Sequence, residues 1–246
     1  MKLALISDFA GLGILNSMRL TYHLVLAQYL LEDTQYAEFY KERSRRGDFI
    51  MMDNGAAEGS LLTSKQLYDA MQMLHVDEVV LPDVLRDAEA TIEKTMDRDV
   101  LEIIPARMRA VVPQGETFEE WTGCANFFVS NMEFATMCIP KHTEQFGDGR
   151  VNILTFIQQM GWHNSYNIHL LGVWGEPRIE VPALKAIAPW VRGIDTAAPF
   201  AYAQKGRSIR VKSEHISHVW NEHFDSGLAY DNALSLLAWT SGRQDA

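Results

Sequence analysis

Short β-rich apolar runs recur along this sequence, each followed by a polar or glycine-containing turn and then a helical pattern. The runs are Lys2 to Ser7, Phe49 to Asp53, Glu78 to Asp83, Met108 to Gln114, Phe134 to Pro140, Ile168 to Val173 and Val191 to Asp195. From Phe49 onward their starts lie about 23–34 residues apart, the length of one strand–helix unit. A further segment, His23 to Leu31, fits strand or helix equally, because so short an apolar run has no decisive period. Helical spacing is predicted for Lys65 to Leu74 behind a Ser64 cap, for Ala88 to Met96 after Asp87, for Val181 to Trp190 and for Ser213 to Phe224. Such repeats predict a single (β/α)8 barrel over residues 1–246, with a C-terminal helical segment at about 213–240 packed on it. The rival open sheet would carry a Gly-rich phosphate turn after its first strand. Gly11-Leu12-Gly13 lacks the third glycine of that turn and reads as a loop.

A chain of 246 residues with 47% hydrophobic and 22% charged residues can bury a core without covalent staples. Cys124 and Cys138 are too few for a disulfide framework, which points to a reducing cytoplasm. No apolar run reaches the roughly 18 residues that span a bilayer, so no membrane partner is expected. The net charge of −10 argues against a protein that coats nucleic acid non-specifically, since phosphate affinity comes from Lys and Arg. It leaves room for a local basic patch. Two stretches qualify, Lys41 to Arg46 and Lys205 to Lys212. The second comes after the last apolar run, near the expected rim, which makes Lys205, Arg207, Arg210 and Lys212 candidates for phosphate contacts. The alternative for both stretches is a solvated charged face.

Barrels of this kind carry their sites at the C-terminal ends of the strands. Read in order, those ends offer Asp53-Asn54-Gly55 with Glu58 close behind, then Pro82-Asp83, Gln114-Gly115, Pro140-Lys141, Gly172-Val173-Trp174 and finally Asp195. A carboxylate accepts two parallel N–H bonds from the N1–H and 2-amino edge of a guanine-like base, and a Gln amide donates to its O6. Gly55 and Gly115 would let the backbone approach a flat ring, and Trp174 or Phe200 would stack on it. Two further aspartates suit displacement at a sugar C1′, one trapping the oxocarbenium-like centre and the other managing protons on the bases. Each residue also has a structural alternative. Asp53 would start an Asp-Asn-Gly turn, Asp83 and Asp195 would cap the segments after them, Gln114 would close a turn, and Glu58 would be exposed or a supporting partner. His215, His218 and His223 read as the exposed face of a helix rather than a metal site.

The segments Met52-Asp53-Asn54-Gly55-Ala56-Ala57-Glu58, Leu81-Pro82-Asp83, Val112-Pro113-Gln114-Gly115, Leu170-Leu171-Gly172-Val173 and Gly193-Ile194-Asp195 resemble, in this order, the tRNA-guanine transglycosylase superfamily. The closer resemblance is to its short, phage-type 7-deazaguanine DNA transglycosylases, over about residues 2–205. The resemblance implies a TIM-type barrel and a ping-pong exchange, with Asp195 the nucleophile and Asp53 the acid/base that serves the bases. It implies Asp83 and Gln114 as the guanine-edge ligands, with Asn54 and Gly55 in the same pocket and Ile139 at its backbone wall. The incoming base would be a 7-cyano- or 7-aminomethyl-7-deazaguanine, with no cofactor and no metal. The tRNA enzymes carry two aspartates in the nucleophile segment and a zinc site of three cysteines and a histidine; this chain has one aspartate there and two cysteines in all. DNA is therefore the expected partner, with tRNA as the alternative, and the target nucleotide would have to leave the stack to reach such a pocket. Other functions in view are a non-catalytic base-binding subunit and a metal-dependent barrel hydrolase.

Overall fold

In the computed structural model of this chain, residues 1–242 are described except 61, 148, 174–175, 213–215, 217 and 221. Eight parallel strands form one sheet: β1 (Lys2–Leu5), β2 (Tyr22–Leu26), β3 (Phe49–Asp53), β4 (Glu78–Val80), β5 (Arg109–Val111), β6 (Thr136–Ile139), β7 (Asn167–Leu170) and β8 (Gly193–Thr196). Their order is β1-β8-β7-β6-β5-β4-β3-β2. β1 pairs with β8, placing Ala4 beside Asp195, and β2 pairs with β3, placing Leu26 beside Asp53. β1 and β2 adjoin in space without a hydrogen-bonded ladder among the described residues, so the ring is nearly closed. Eleven helices connect and surround it: α1 (Leu12–Met18), α2 (Ala27–Glu32), α3 (Thr34–Arg45), α4 (Ser64–Met73), α5 (Ala88–Thr95), α6 (Arg98–Ile103), α7 (Phe118–Asn131), α8 (Arg150–Gln159), α9 (Pro177–Ile187), α10 (Ala198–Gln204) and α11 (Ser226–Ser241), counting those among the described residues. This is a (β/α)8 TIM-type barrel. None of its described helices is long and apolar enough to cross a membrane.

Strand parity divides the core in two. Alternate side chains point to opposite faces, so Ala4, Tyr22, Leu24, Leu26, Met51, Val80, Ala110 and Cys138 fill the lumen. Their neighbours Leu5, Val25, Met52, Val79, Met137 and Ile194 pack outward under the helices. Each fully buried Leu, Ile or Met in that outer layer stabilises the fold by roughly 1.5–3 kcal/mol.

Polar groups plug the lower end of the lumen. Arg192 donates to both oxygens of Glu78 at 2.6 Å, and the Thr136 hydroxyl donates to Glu78 Oε2 at 2.7 Å. The guanidinium lies 4.9 Å from the Phe49 ring centre and 5.7 Å from that of Tyr22. Gly193 makes room for this arrangement, because a Cβ there would meet the Tyr22 ring at 2.6–2.9 Å.

Local chemistry departs from the sequence reading in four places. The run His23 to Leu31 is both things in turn, a strand through Leu26 and then α2. Gly11 and Gly13 belong to a 3-10 turn running into α1, not to a loop, and a Cβ at Gly11 would collide with Ser7 and Phe200. Thr63, not Ser64, caps α4, in a reciprocal capping box with Gln66. Asp87 caps α5 as expected. The described residues of the helix expected from Ser213 to Phe224 are not helical: Ile216, His218 to Trp220 and Glu222 to Phe224 are irregular, while His215 lies outside the described residues. The Gln204 side chain takes the Val219 N–H at 3.1 Å and its carbonyl at 2.6 Å, groups a helix would use internally. The final helix is α11, capped by Asp225, packed on α1, α9, α10 and β1. The Lys41 to Arg46 stretch lies on α3, where Lys41, Arg45 and Arg46 pair with Glu38 and Glu42; that part is a solvated charged face.

Candidate active site

The upper end of the barrel opens into a cavity of about 410 Å³, a size typical of small-ligand sites. Asp53, Asn54, Asp83, Gln114 and Asp195 all line it, with Glu58 beside them. They arrive from β3, β4, β5 and β8 because each follows or ends a strand whose last inward-facing position lies at the mouth.

Asp83, Asn54 and Gln114 form one buried cradle. Asn54 Nδ2 donates to Asp83 Oδ1 at 2.8 Å and to the Leu81 carbonyl at 2.7 Å, which uses both of its amide hydrogens. Gln114 Nε2 donates to Asp83 Oδ2 at 2.6 Å, while Gln114 Oε1 accepts the Arg86 N–H at 3.0 Å. That second bond fixes which way the Gln114 amide faces. By donor and acceptor inventory, each Asp83 oxygen keeps a free lone pair and Gln114 keeps one free N–H. Burial raises the Asp83 pKa, opposed by the Asn54 and Gln114 donors. Neither Asp83 nor Gln114 caps or closes anything. They hold each other.

Arg86 makes this bond at a conformational cost. It sits third in the turn Val84–Asp87, closed by the Asp87 N–H to the Val84 carbonyl at 3.1 Å, with φ +65°. That position of a type II turn favours glycine, and a non-glycine residue held there costs about 1–3 kcal/mol.

Asp195 stands on a second buried chain. His169 Nε2 lies 2.8 Å from Asp195 Oδ2, and His169 Nδ1 lies 2.8 Å from the Tyr22 hydroxyl. Burial pushes the Tyr22 pKa well up, so its phenol keeps its proton. With the donor-only Arg192 guanidinium against the Tyr22 ring, the phenol proton goes to Nδ1, which leaves Nε2–H to donate to Asp195. The Gly172 N–H donates to Asp195 Oδ1 at 3.0 Å. Buried Arg150 clamps the loop carrying that N–H, donating to the Gly172 carbonyl at 2.8 Å and to the Leu171 carbonyl. Asp195 is thus held by two donors from different elements and caps no helix.

Asp53 lies opposite. Its Oδ2 accepts the Gly55 N–H at 3.0 Å in the expected Asx-type turn. Burial first, then the nearby Glu58, Asp83 and Asp195 charges, hold its pKa well above the usual carboxylate range. Glu58 is half-buried and its pKa is raised to about 7 by burial and by Asp195. A carboxyl raised in the fold contributes stability fully below its ordinary value of 4.5, and that contribution is lost as pH climbs through about 7. Glu58→Gln, neutral throughout, is therefore expected to melt with the native protein near pH 4.5 and above it at pH 8. Parallel melting curves at the two pH values would show no such divergence if Glu58 ionised freely.

Several expected site residues serve other ends. Ile139 points outward with Met137, by strand parity, and its carbonyl accepts the Leu171 N–H; Pro140, Lys141 and His142 line the cavity instead. Gly55 is needed for its φ of +76° and is hemmed in by Gln28 and Ser60, while a Cβ at Gly115 would strike the start of α7. Neither glycine faces the cavity as a ring platform. Phe200 is fully buried against Phe224 and His218, and Trp174 lies outside the described residues. None of Lys205, Arg207, Arg210 and Lys212 lines the cavity, and Arg210 bonds Ser235 on α11. The sequence reading missed Tyr22, His169 and Arg86, and it missed His218 and Trp220, whose rings meet edge-on at 4.5 Å at the mouth. A polar residue at an inward position of an apolar strand was the available signal for His169. Among the described residues, no group of three or more His, Cys, Asp or Glu is arranged to hold a metal ion.

No family model matches this chain, and no curated protein matches it. Among solved structures it is similar to N-succinyl Arg/Lys racemase from Bacillus cereus, with 14% identity and a TM-score of 0.52 over 81% of this chain and 52% of that one. The carboxyl transferase domain of Rhizobium etli pyruvate carboxylase aligns with 12% identity and a TM-score of 0.48 over 98% of this chain and 47% of that one. The chain spans about half the length of these structures. What the racemase shares with this chain is the barrel.

Proposed function

We propose that this protein is a base-exchange enzyme that replaces guanine in DNA with a 7-deazaguanine through a covalent bond between Asp195 and the sugar. The observation that carries the reading is the pairing, in one cavity, of the Asp83–Gln114–Asn54 cradle with two further carboxyls, Asp195 and Asp53, held by different partners. The cradle leaves free two carboxylate lone pairs and one amide N–H, the complement of the N1–H, 2-amino and O6 edge of guanine. Asp195, with two donors to its carboxylate, suits a nucleophile; Asp53, its pKa raised, suits a proton donor.

In the first half-reaction an Asp195 oxygen attacks C1′. The C1′–N9 bond breaks, its electron pair leaves with the base, and Asp53 supplies the proton that makes neutral guanine. Guanine departs and a 7-deazaguanine takes its place in the cradle. Asp53, now a carboxylate, removes the N9 proton of the incoming base. N9 then attacks C1′, and the C1′–O bond breaks to return Asp195 as a carboxylate. The 7-cyano or 7-aminomethyl identity of that base rests on the motif resemblance.

The test is release of labelled guanine from DNA, and in parallel from tRNA, on adding a 7-deazaguanine. Release from tRNA alone would move the reading to a tRNA enzyme. Guanine binding with no release from either would leave a base-binding subunit. Tyr22 and His169 act as positioning residues in this scheme. Tyr22→Phe removes one hydroxyl and with it the constraint on the His169 tautomer. It is expected to slow exchange by about 10- to 100-fold with the affinity for free guanine unchanged. Equal loss of rate and guanine affinity would mark a general structural effect instead.

A further inference from the structure

Four carboxyl groups, Asp53, Glu58, Asp83 and Asp195, crowd the cavity of a chain with net charge −10. A polyanion would be repelled from such a mouth unless cations met its phosphates there. The cavity is also lined by two cationic side chains, Arg86 and Lys141. Arg86 follows β4 and Lys141 follows β6, so they flank the β5 loop that carries Gln114. Both are exposed, and among the described residues neither makes a salt bridge, although the Lys141 charge reaches the Glu58 carboxyl. His142, next to Lys141, has its Nε2 3.1 Å from the Gly115 carbonyl and senses the Arg86 charge, which places the two cations around one rim.

Arg86 is unusual in its backbone as well. The bond it makes to Gln114 comes from its backbone N–H, which any residue but proline supplies. Its φ of +65° favours glycine. What an arginine adds at a position suited to glycine is its guanidinium, a planar fork of donors that matches a phosphate. Lys141, whose stem lies over Gly172 after β7, adds a point charge at the same mouth.

We propose that Arg86 and Lys141 form a phosphate clamp that holds the DNA backbone of the nucleotide whose base enters the Asp83–Gln114 cradle. The inference rests on the base-exchange reading for its ligand. It assigns backbone contact to these two residues, in place of the Lys205 to Lys212 stretch.

The experiment uses fluorescence anisotropy of a guanine-containing single-stranded DNA oligonucleotide, titrated at several salt concentrations. The proteins are the native form, Arg86→Gly, Lys141→Ala, the double variant and Lys212→Ala. Arg86→Gly keeps the backbone bond to Gln114 and should melt at or above the native protein, since glycine relieves the strain at φ +65°. It is expected to weaken DNA binding by about 5- to 10-fold and to reduce the slope of log K against log salt by about 0.7, the loss of one phosphate contact. Lys141→Ala should do the same, the double variant should lose about twice that slope, and Lys212→Ala should match native. Free guanine should bind all five proteins equally. The clamp is overturned if Arg86→Gly and Lys141→Ala bind DNA with native affinity and slope, or if Lys212→Ala costs as much as either. Native protein that binds free guanine but no DNA overturns both the clamp and the DNA reading. Binding of a tRNA anticodon stem-loop instead, with the same losses in Arg86→Gly and Lys141→Ala, overturns DNA as the partner and leaves base exchange standing.

Discussion

Asp195→Asn is expected to abolish guanine release, by about 10⁴-fold or more as for other lost nucleophiles, while the protein still folds and still binds free guanine. Geometry gives the reason. Asparagine keeps the shape of the side chain, so β8 and its ladder with β1 are undisturbed. The base cradle is built from β3, β4 and β5 residues and does not touch Asp195. What changes is the attacking group, because an amide oxygen cannot form a stable ester with C1′. Whichever way the new amide turns, its NH2 would face one donor, the His169 Nε2–H or the Gly172 N–H, while its oxygen accepts from the other. Trapping makes the outcome decisive. Native protein mixed with DNA and no incoming base should accumulate a protein–DNA adduct visible on a denaturing gel, and Asp195→Asn should give none. Adduct formation by the variant, or exchange at the native rate, would remove this carboxylate from the mechanism.

Stability has its largest single lever at the other end of the barrel. Arg192→Met is expected to destabilise the protein by about 3–5 kcal/mol, since it strands the Glu78 carboxylate in the lumen with only Thr136 as a partner. For a chain of this size that lowers the melting temperature by roughly 10 °C. The partner test is the double variant Arg192→Met/Glu78→Leu. Removing both charges removes the uncompensated one, so most of the loss should return. A single variant that melts within a degree or two of native would show that solvent reaches Glu78 and that the plug is wet. The site should register the change too, because Arg192 lies against the ring of Tyr22, which orders His169 beneath Asp195.

The barrel was legible because period-2 apolar runs and helical spacing alternate so regularly, and strand ends were enough to bring Asp53, Asp83, Gln114 and Asp195 to one cavity. What stayed hidden is what depends on distant partners. Tyr22 reads as one more aromatic in an apolar strand until His169, 147 residues away, supplies its hydrogen bond. Arg86 reads as surface charge because sequence does not report a positive φ. The stretch from Ser213 to Phe224 shows helical spacing, yet Gln204 holds its backbone, and His218 and Trp220 turn to the mouth. Ile139 is different: strand parity with Met137 and Cys138 already placed it facing outward. The motif resemblance put its backbone at the pocket wall; the pleat turns its side chain away, and Pro140 after it lines the cavity.

The gap in the ring between β1 and β2 bears on how such a chain reaches its working form. β1 has β8 as its ladder partner, Lys2 beside Gly193, so the two strands meet from opposite ends of the described sequence. Every other neighbouring pair in the sheet joins strands consecutive along the chain. During synthesis, then, β2 through β7 can add one at a time, while β1 waits without a ladder until β8 arrives. β8 is also the strand that carries Asp195. β8 ladders with both β7 and β1, so the strand that closes the ring is also the one that sets Asp195 in the cavity.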